Sequence, residues 1–305
     1  PADSIMVLVQ DSGTKEYFKA LLPSLGINDV KITTFSEWAF SLLSLDGYLY
    51  IERYGDTEEE KDNYEYQKLK TLRSTDMVAW NKNIFTTLNL KYSRIFSGQS
   101  LKLFNNQKKQ KQLDRFDLVI LLQSYFKKYK KFEIKRQYQT FVKDELVSKI
   151  EKRAVFYSLM IIDEFQNYMG EQIQILKSCL NQQTQSVVYV GDMAQQVKLG
   201  TIRQWQEINE TISEDRNIKL NKVYRNTKNI LAFIQSLGYG VELPDGLKEG
   251  PEVVEKITKD AKEEIDYIKK LAEKYKEGSI GILAREEAYL DDFKKVFADN
   301  KNIHV

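Results

Sequence analysis

Two residue types that carry much of enzyme chemistry are nearly missing: the 305-residue chain has one cysteine, Cys179, and one histidine, His304. That excludes a disulfide framework, zinc sites of the Cys/His kind and catalytic triads with a histidine base. An excess of either charge is lacking too. With 46 Lys+Arg against 44 Asp+Glu the formal net charge is +2, so the chain as a whole is not a basic nucleic-acid binder, though a basic patch is allowed. No apolar run approaches the roughly 18 residues of a membrane span. The opening PADSIMVLVQ lacks the basic flank and long apolar core of a secretory signal. The expectation is a cytoplasmic protein without a membrane partner. Because the chain opens on Pro1, it reads as either a chain that has lost its Met or an internal piece of something longer. What is present, 42% hydrophobic and 12% aromatic residues, supports a real core and excludes wholesale disorder. Any chemistry must run on carboxylates, amides, Arg, Lys and bound ions.

Ile5–Val9 is a continuous apolar run of the buried parallel-strand type, followed by a helical stripe over Lys15–Leu25 that stops at Gly26. Val30–Thr34 reads as a second strand and Phe35–Leu45 as a helix, an α/β alternation. Between about 46 and 112 the texture turns polar and aromatic, as in a mostly helical insertion. From Leu113 to Arg153 helical patterns are expected to continue, and between Gln107 and Arg153 there are 14 Lys/Arg against 6 Asp/Glu. That imbalance fits a solvated charged face or a contact to backbone phosphates. Leu159–Ile162 and Ser186–Val190 return to the strand pattern around a helix at Gln172–Leu180. Ile218–Leu220 is a possible further strand, with a helix running to Leu237. Six Gly and Pro residues between Gly238 and Pro251 mark a domain boundary. Beyond it, strands at Glu252–Ile257 and Ser279–Ala284 flank a helix at Ala261–Tyr275.

The most informative feature is that two successive strands each end in an acidic residue: Asp163-Glu164 after the first, Gly191-Asp192 after the second. Ligands of parallel sheets bind at carboxyl ends of strands. A strand-end Asp can hold Mg²⁺, and the next carboxylate can orient a water for attack on a terminal phosphoryl group. Gln166 and Gln195, each three residues after an Asp, can hydrogen-bond that water or a phosphate. An acidic pair after a strand also arises simply as a helix N-terminus. Arg225 and Arg285 can contact phosphoryl oxygens or serve as surface ion pairs.

These segments resemble, in order, motifs of superfamily 1 helicases of the UvrD/Rep/PcrA class and their HelD-like relatives. IIDEFQN (161–167) resembles the Walker B motif, VGDMAQQV (190–197) motif III and LNKVYRNTKNI (220–230) motif IV. MVLVQDS resembles motif Ia, KITTFSEWA the strand and helix after it, LDRFDLVILL the helix leading back from the insertion, and SIGILAREE a strand of the second motor domain. The resemblance implies a RecA-like P-loop NTPase sheet: 1–45 and 113–240 as domain 1A, 46–112 as insertion 1B, and 250–305 as the start of 2A. It implies Asp163 for Mg²⁺, Glu164 for the attacking water, Gln195 and Arg225 for the γ-phosphate, Gln166 and Arg285 as further nucleotide contacts, and Asp192 for coupling. Trp205 falls where the family presents an aromatic for base stacking; on its own it reads as core or interface.

The departures are specific. No GxxxxGK[ST] occurs, since Ser12-Gly13-Thr14-Lys15 lacks the first glycine and the cradle spacing, and the later motifs are missing. The expectation is therefore a helicase fragment whose parent couples ATP hydrolysis to movement on single-stranded or partly duplex DNA, itself binding Mg²⁺ and ATP weakly. Its partners would include the rest of the parent. An alternative is a degenerate helicase-like module that binds nucleic acid or RNA polymerase without turnover. A metal-dependent nuclease using Asp163, Glu164 and Asp192 is a third reading.

Overall fold

The computed structural model describes residues 4–305 apart from 29, 75–76, 143–144, 221–225, 242, 276–277, 285–286 and 301–302. Two compact units divide between Ile212 and Ser213. The first begins with β1 (Ile5–Val9), α1 (Ser12–Ser24), β2 (Lys31–Thr34) and α2 (Phe35–Leu43). There follow β3 (Leu49–Tyr50), α3 (Glu58–Leu72), α4 (Ile84–Tyr92), α5 (Gly98–Lys109), β4 (Gln112–Leu113) and α6 (Arg115–Tyr129). The unit continues through β5 (Glu133–Val142), β6 (Glu145–Ala154), β7 (Leu159–Ile162), α7 (Gly170–Lys177) and β8 (Ser186–Tyr189).

The main sheet has the order β2-β1-β7-β8 and every pairing is parallel. Its registers run Val7↔Ile32, Val7↔Ile161 and Ile161↔Val188, so all four carboxyl ends lie on one edge. Continuous apolar runs suit β1 because both its faces are covered: Met6, Leu8 and Val9 are fully buried. Thr34 ends β2 and starts α2 in the same residue, its hydroxyl accepting from the Glu37 N–H while Glu37 reaches back, a capping box. The fold class is α/β, as the alternation of strands and helices indicates.

Residues 46–112 carry α3, α4 and α5; α3 and α4 pack with α2 and α7 around α6, and α5 packs on α3 and β4. Helix α6 is apolar on nearly every side, and Phe116 and Leu118 through Leu122 are buried, the pattern of a central helix. Its core is continuous with that of the sheet, from Met160 and Ile162 to Tyr92, Phe104 and Phe116. Within this apolar layer lies a buried charge cluster. The Lys68 ammonium donates to Asp114 Oδ2 at 2.5 Å, to both Asp117 oxygens at 2.8 and 2.9 Å, and to Gln107 Oε1 at 3.0 Å. Tyr92 donates its hydroxyl to Asp117 Oδ1 at 2.5 Å. The same two aspartates form the capping box of α6.

The segment after α6 departs from the helical expectation. Glu133–Val142 and Glu145–Ala154 form an antiparallel ribbon paired over ten residues, from Glu133↔Ala154 to Val142↔Glu145. Its apolar residues at 134, 138 and 141, then 146, 147 and 150, fall at helical spacing. The ribbon has little buried face to impose a period of two, so the pattern misleads.

The second unit contains α8 (Lys228–Ser236), α9 (Ala261–Lys274), β9 (Ile280–Gly281), α10 (Asp291–Phe297) and β10 (Ile303–His304). A small core of Phe293, Phe297 and Ile303 receives Ile265, Ile268 and Ala272 from the apolar stripe of α9. Strand β9 pairs with β10 in parallel, Ile280↔Ile303, and is shorter than the expected Ser279–Ala284. Ile218–Leu220 and Glu252–Ile257 join no ladder among the described residues; Ile218, Leu220 and Ile257 are exposed, with no neighbouring strand to cover them. The division between units precedes the Gly/Pro-rich break at 238–251 because α8 is tied across it. The Lys228 N–H donates to Lys248 O at 2.7 Å and Asn229 Nδ2 to Gly250 O at 2.9 Å. Among the described residues no helix is long and apolar enough to cross a membrane.

Candidate functional site

At the carboxyl edge of the sheet the backbone ladder continues past the strands. The Asp163 N–H donates to Leu8 O at 2.9 Å, Val190 N–H to Ile162 O at 2.9 Å and Phe165 N–H to Val190 O at 3.0 Å. Asp163-Glu164 and Gly191-Asp192 are thereby held side by side. Glu164 adopts a left-handed backbone, φ 50°, which costs a residue with a side chain about 1–2 kcal/mol. It turns the chain at once from β7 into the turn Phe165–Asn167.

Gln166 joins the two strand ends. Its Nε2 donates to Glu164 Oε2 at 2.5 Å and its Oε1 accepts from the Asp192 N–H at 3.1 Å. Both ends of the amide are engaged within the protein, and the side chain is buried. Its role here is to link the acidic ends. Gly191 makes this approach possible, since a Cβ there would meet Gln166 Oε1 at 2.1 Å and the Phe165 ring at 3.0 Å.

Asp163 is half-buried, and that burial, reinforced by the charge of Glu164, holds its carboxyl above the ordinary carboxylate range. Glu164 is exposed at the rim. Asp192 accepts from the Ala194 N–H and from Gln195 Nε2, both at 2.9 Å, one on each carboxylate oxygen. Gln195 is exposed and lies beside Asp192 in the short turn Met193–Gln195. Trp205 is half-buried, stacked on Phe165 at 4.9 Å and 14° and tilted against Tyr189 at 5.5 Å. One face of its ring is therefore occupied by the core. Asp163, Glu164, Gln166, Asp192, Gln195 and Trp205 thus share one edge of the sheet, Trp205 through Phe165. Arg225 and Arg285 lie outside the described residues.

The donor set fits Mg²⁺, which takes one or two protein carboxylates and fills its octahedron with water and phosphate oxygens. Asp163 with Glu164 beside it supplies those groups. Among the described residues no three His, Cys, Asp or Glu side chains converge as a metal cage, and Asp192 is committed to its own turn. The nuclease reading, which needs several converging carboxylates, finds no support there. A phosphate cradle is a different matter. Helix α1 follows β1 directly, yet its N-terminus is already capped by Asp11, whose Oδ1 accepts from the Thr14 N–H at 2.8 Å, and Lys15 is paired with Glu37. An acidic cap at that position repels a phosphate, so Ser12–Lys15 does not form a nucleotide loop.

Two arginines beside the site are not among the residues that the sequence singles out, although Arg115 lies within LDRFDLVILL. Arg115, at the start of α6, donates from Nη2 to Leu199 O at 2.8 Å and to Glu65 at 3.2 Å. Arg73 donates from Nη2 to Gly200 O at 2.7 Å and from Nε to Glu171 at 2.9 Å. The turn after Gln195 is thus gripped by its carbonyls from α6 and from the end of α3. Gly200 sits hard against Leu69, where an added Cβ would lie 2.7 Å from its side chain. Arg115, Arg53, Glu65, Lys198 and Arg203 line an adjoining cleft of about 520 Å³. The only hint in the sequence is the position of Arg115 at the first turn of a helix opened by a capping box.

No family model matches the chain, and no curated protein matches it.

Proposed function

We propose that the chain is part of an ATP-dependent translocase of the superfamily 1 helicase kind, with the carboxyl edge of β1, β7 and β8 as its nucleotide-hydrolysis edge. The observation that carries this reading is the amide bridge of Gln166 between Glu164 and the Asp192 backbone. It ties the carboxylate suited to orienting a water to the loop bearing Gln195, so a change at one strand end is felt at the other. In this reading the sheet is RecA-like. Asp163 would hold Mg²⁺, which supplies charge neutralisation on the phosphates when bound. Glu164 would orient the attacking water and accept its proton, and Gln195, released from Asp192, would meet the terminal phosphate. Arg225 and Arg285 keep their proposed phosphate contacts, and Trp205 offers its outer ring face to a base. The phosphate cradle must come from a segment other than α1. The outer edge of β8, unpaired among the described residues and bearing exposed Val188, is where such a strand would pair. Movement along DNA in the cytoplasm belongs to this proposal.

A second reading is favoured by the acid cap on α1: a helicase-like module that binds nucleic acid or RNA polymerase without turnover. Titration of Mg²⁺·ATP into the chain, with an ATPase assay alongside, separates the two. Weak binding and no turnover by this chain, with hydrolysis appearing when a cradle-bearing segment is added and lost again in Glu164→Gln, supports the translocase. Hydrolysis that survives Glu164→Gln overturns the assignment of that edge. No hydrolysis under any complementation supports the module.

A further inference from the structure

The β5–β6 ribbon has a composition that its own fold does not explain. A two-stranded ribbon alone in water is marginally stable, yet this one runs ten residues per strand and leaves Phe141 72%, Ile150 69% and Leu146 55% exposed. Cross-strand pairing puts these on one face: Lys135 opposite Lys152, then Gln137 with Ile150, Gln139 with Ser148, and Phe141 with Leu146 at the far end. Like charges directly opposed weaken a ribbon unless an anion lies against them, and the Lys135–Lys152 pair stands at the root. The one carboxylate among the described residues of that face, Glu133, is already bridged to Lys131 at 2.8 Å and so offsets the two lysines only in part. The charge increases toward the body of the unit. From Lys127 to Arg153 the sequence has 10 Lys/Arg against 4 Asp/Glu, and Lys127, Lys128, Lys130 and Lys131 immediately precede the ribbon. The root is firmly set, with the Val155 N–H donating to Phe132 O at 2.9 Å and Phe132 stacked on Tyr125.

We propose that this ribbon is a contact for double-stranded DNA, its Lys135/Lys152 root on the phosphates, Gln137 and Gln139 toward base edges, and the Phe141/Leu146 end against the base pairs. The major groove of B-form DNA admits a two-stranded ribbon, and glutamine is a donor–acceptor matched to base edges there. Ten residues at about 3.3 Å each span about 33 Å, close to one turn of duplex. Lysines at the root and apolar side chains at the tip complement a polyanion whose interior is stacked bases. The major groove of A-form RNA is too narrow to be read this way, so the ribbon selects DNA.

The test is fluorescence anisotropy of a labelled DNA duplex with the full chain and no nucleotide present, so that a chain that never binds ATP leaves the outcome intact. Binding is expected to weaken with salt. Lys135→Glu/Lys152→Glu should weaken it about tenfold or more and reduce the salt slope by about 2, since each phosphate contact contributes about 0.9. Phe141→Ser should weaken it as well, and duplex RNA of the same sequence should bind less tightly. All three substitutions lie on an exposed face, and circular dichroism melts checks that folding is unchanged. The charge-matched control Lys269→Glu/Lys270→Glu on α9 should bind like the parent. Absent duplex binding, equal losses in ribbon and control variants, or engagement of anionic vesicles in place of DNA would each overturn the proposal.

Discussion

Replacing Lys68 by Met removes a cation from the inside of the protein while nearly preserving its volume. Lys68 is fully buried, and its partners Asp114 and Asp117 are 4% and 1% exposed. Burial alone would lower the Lys68 pKa, but the two carboxylates outweigh it and raise it. Burial and the charge of Asp117 push Asp114 up to about 7, against the pull of Lys68. With both aspartates ionised the cluster carries one net negative charge; without Lys68 it carries two, in a layer that water does not reach. Removing one partner of a buried ion pair costs about 3–5 kcal/mol, a large share of the roughly 5–15 kcal/mol that holds a typical domain. Urea unfolding at pH 8, followed by circular dichroism, should show that loss. The sign of the pH dependence follows from the raised Asp114 pKa. Folding takes up a proton, so this group's contribution is complete below the unfolded value of 3.8 and disappears as pH rises through about 7. At about 1.4 kcal/mol per unit, it lowers the parent's stability between pH 5 and pH 8 by a few kcal/mol. The Lys68→Met penalty should shrink at pH 5, where protonation of Asp114 removes one of the two bare charges. A penalty under about 1 kcal/mol at pH 8, or one unchanged at pH 5, would refute the reasoning.

Gly191→Ala places a Cβ 2.1 Å from Gln166 Oε1, so the amide bridge must give way. About 1–3 kcal/mol of stability should be lost, with faster hydrogen exchange at the Asp192 amide, and a native-like exchange rate would count against the bridge. Cys179 is fully buried and its thiol is pushed up to about 12 by that burial. Labelling by a thiol reagent at pH 8 should therefore follow global unfolding in urea, and rapid labelling of the folded chain would contradict this.

Strands β1 and β7 are legible because each is a short unbroken apolar run ending in a polar or acidic residue. Strands β2 (Lys31–Thr34) and β8 (Ser186–Tyr189) are legible instead from their β-branched and aromatic residues, with only part of each buried. The start of α6 is legible from Asp114 and Asp117 at capping-box spacing. The ribbon is not, since its apolar residues answer to no buried face and fall by chance at helical intervals. Nor is the inward turn of Lys68, which sits in EYQKLKTL like any lysine of an exposed helix; its burial depends on carboxylates more than forty positions away. At the candidate site, the acidic strand ends are visible in the chain, but Gln166 could as readily face a phosphate as a neighbour. Only the missing side chain at Gly191, read with the distance between strand ends, decides for the bridge.

The two arginines on the Leu199 and Gly200 carbonyls make the turn beyond Gln195 part of the helical layer. Displacing that turn by an ångström means lengthening two charge-assisted hydrogen bonds, the exposed one from Arg73 and the part-buried one from Arg115. The less costly motion is a shared one, in which α3 and α6 travel with the turn. A small stroke at the sheet edge would then be delivered to the helices as a lever delivers force, with Arg73 and Arg115 as its pins.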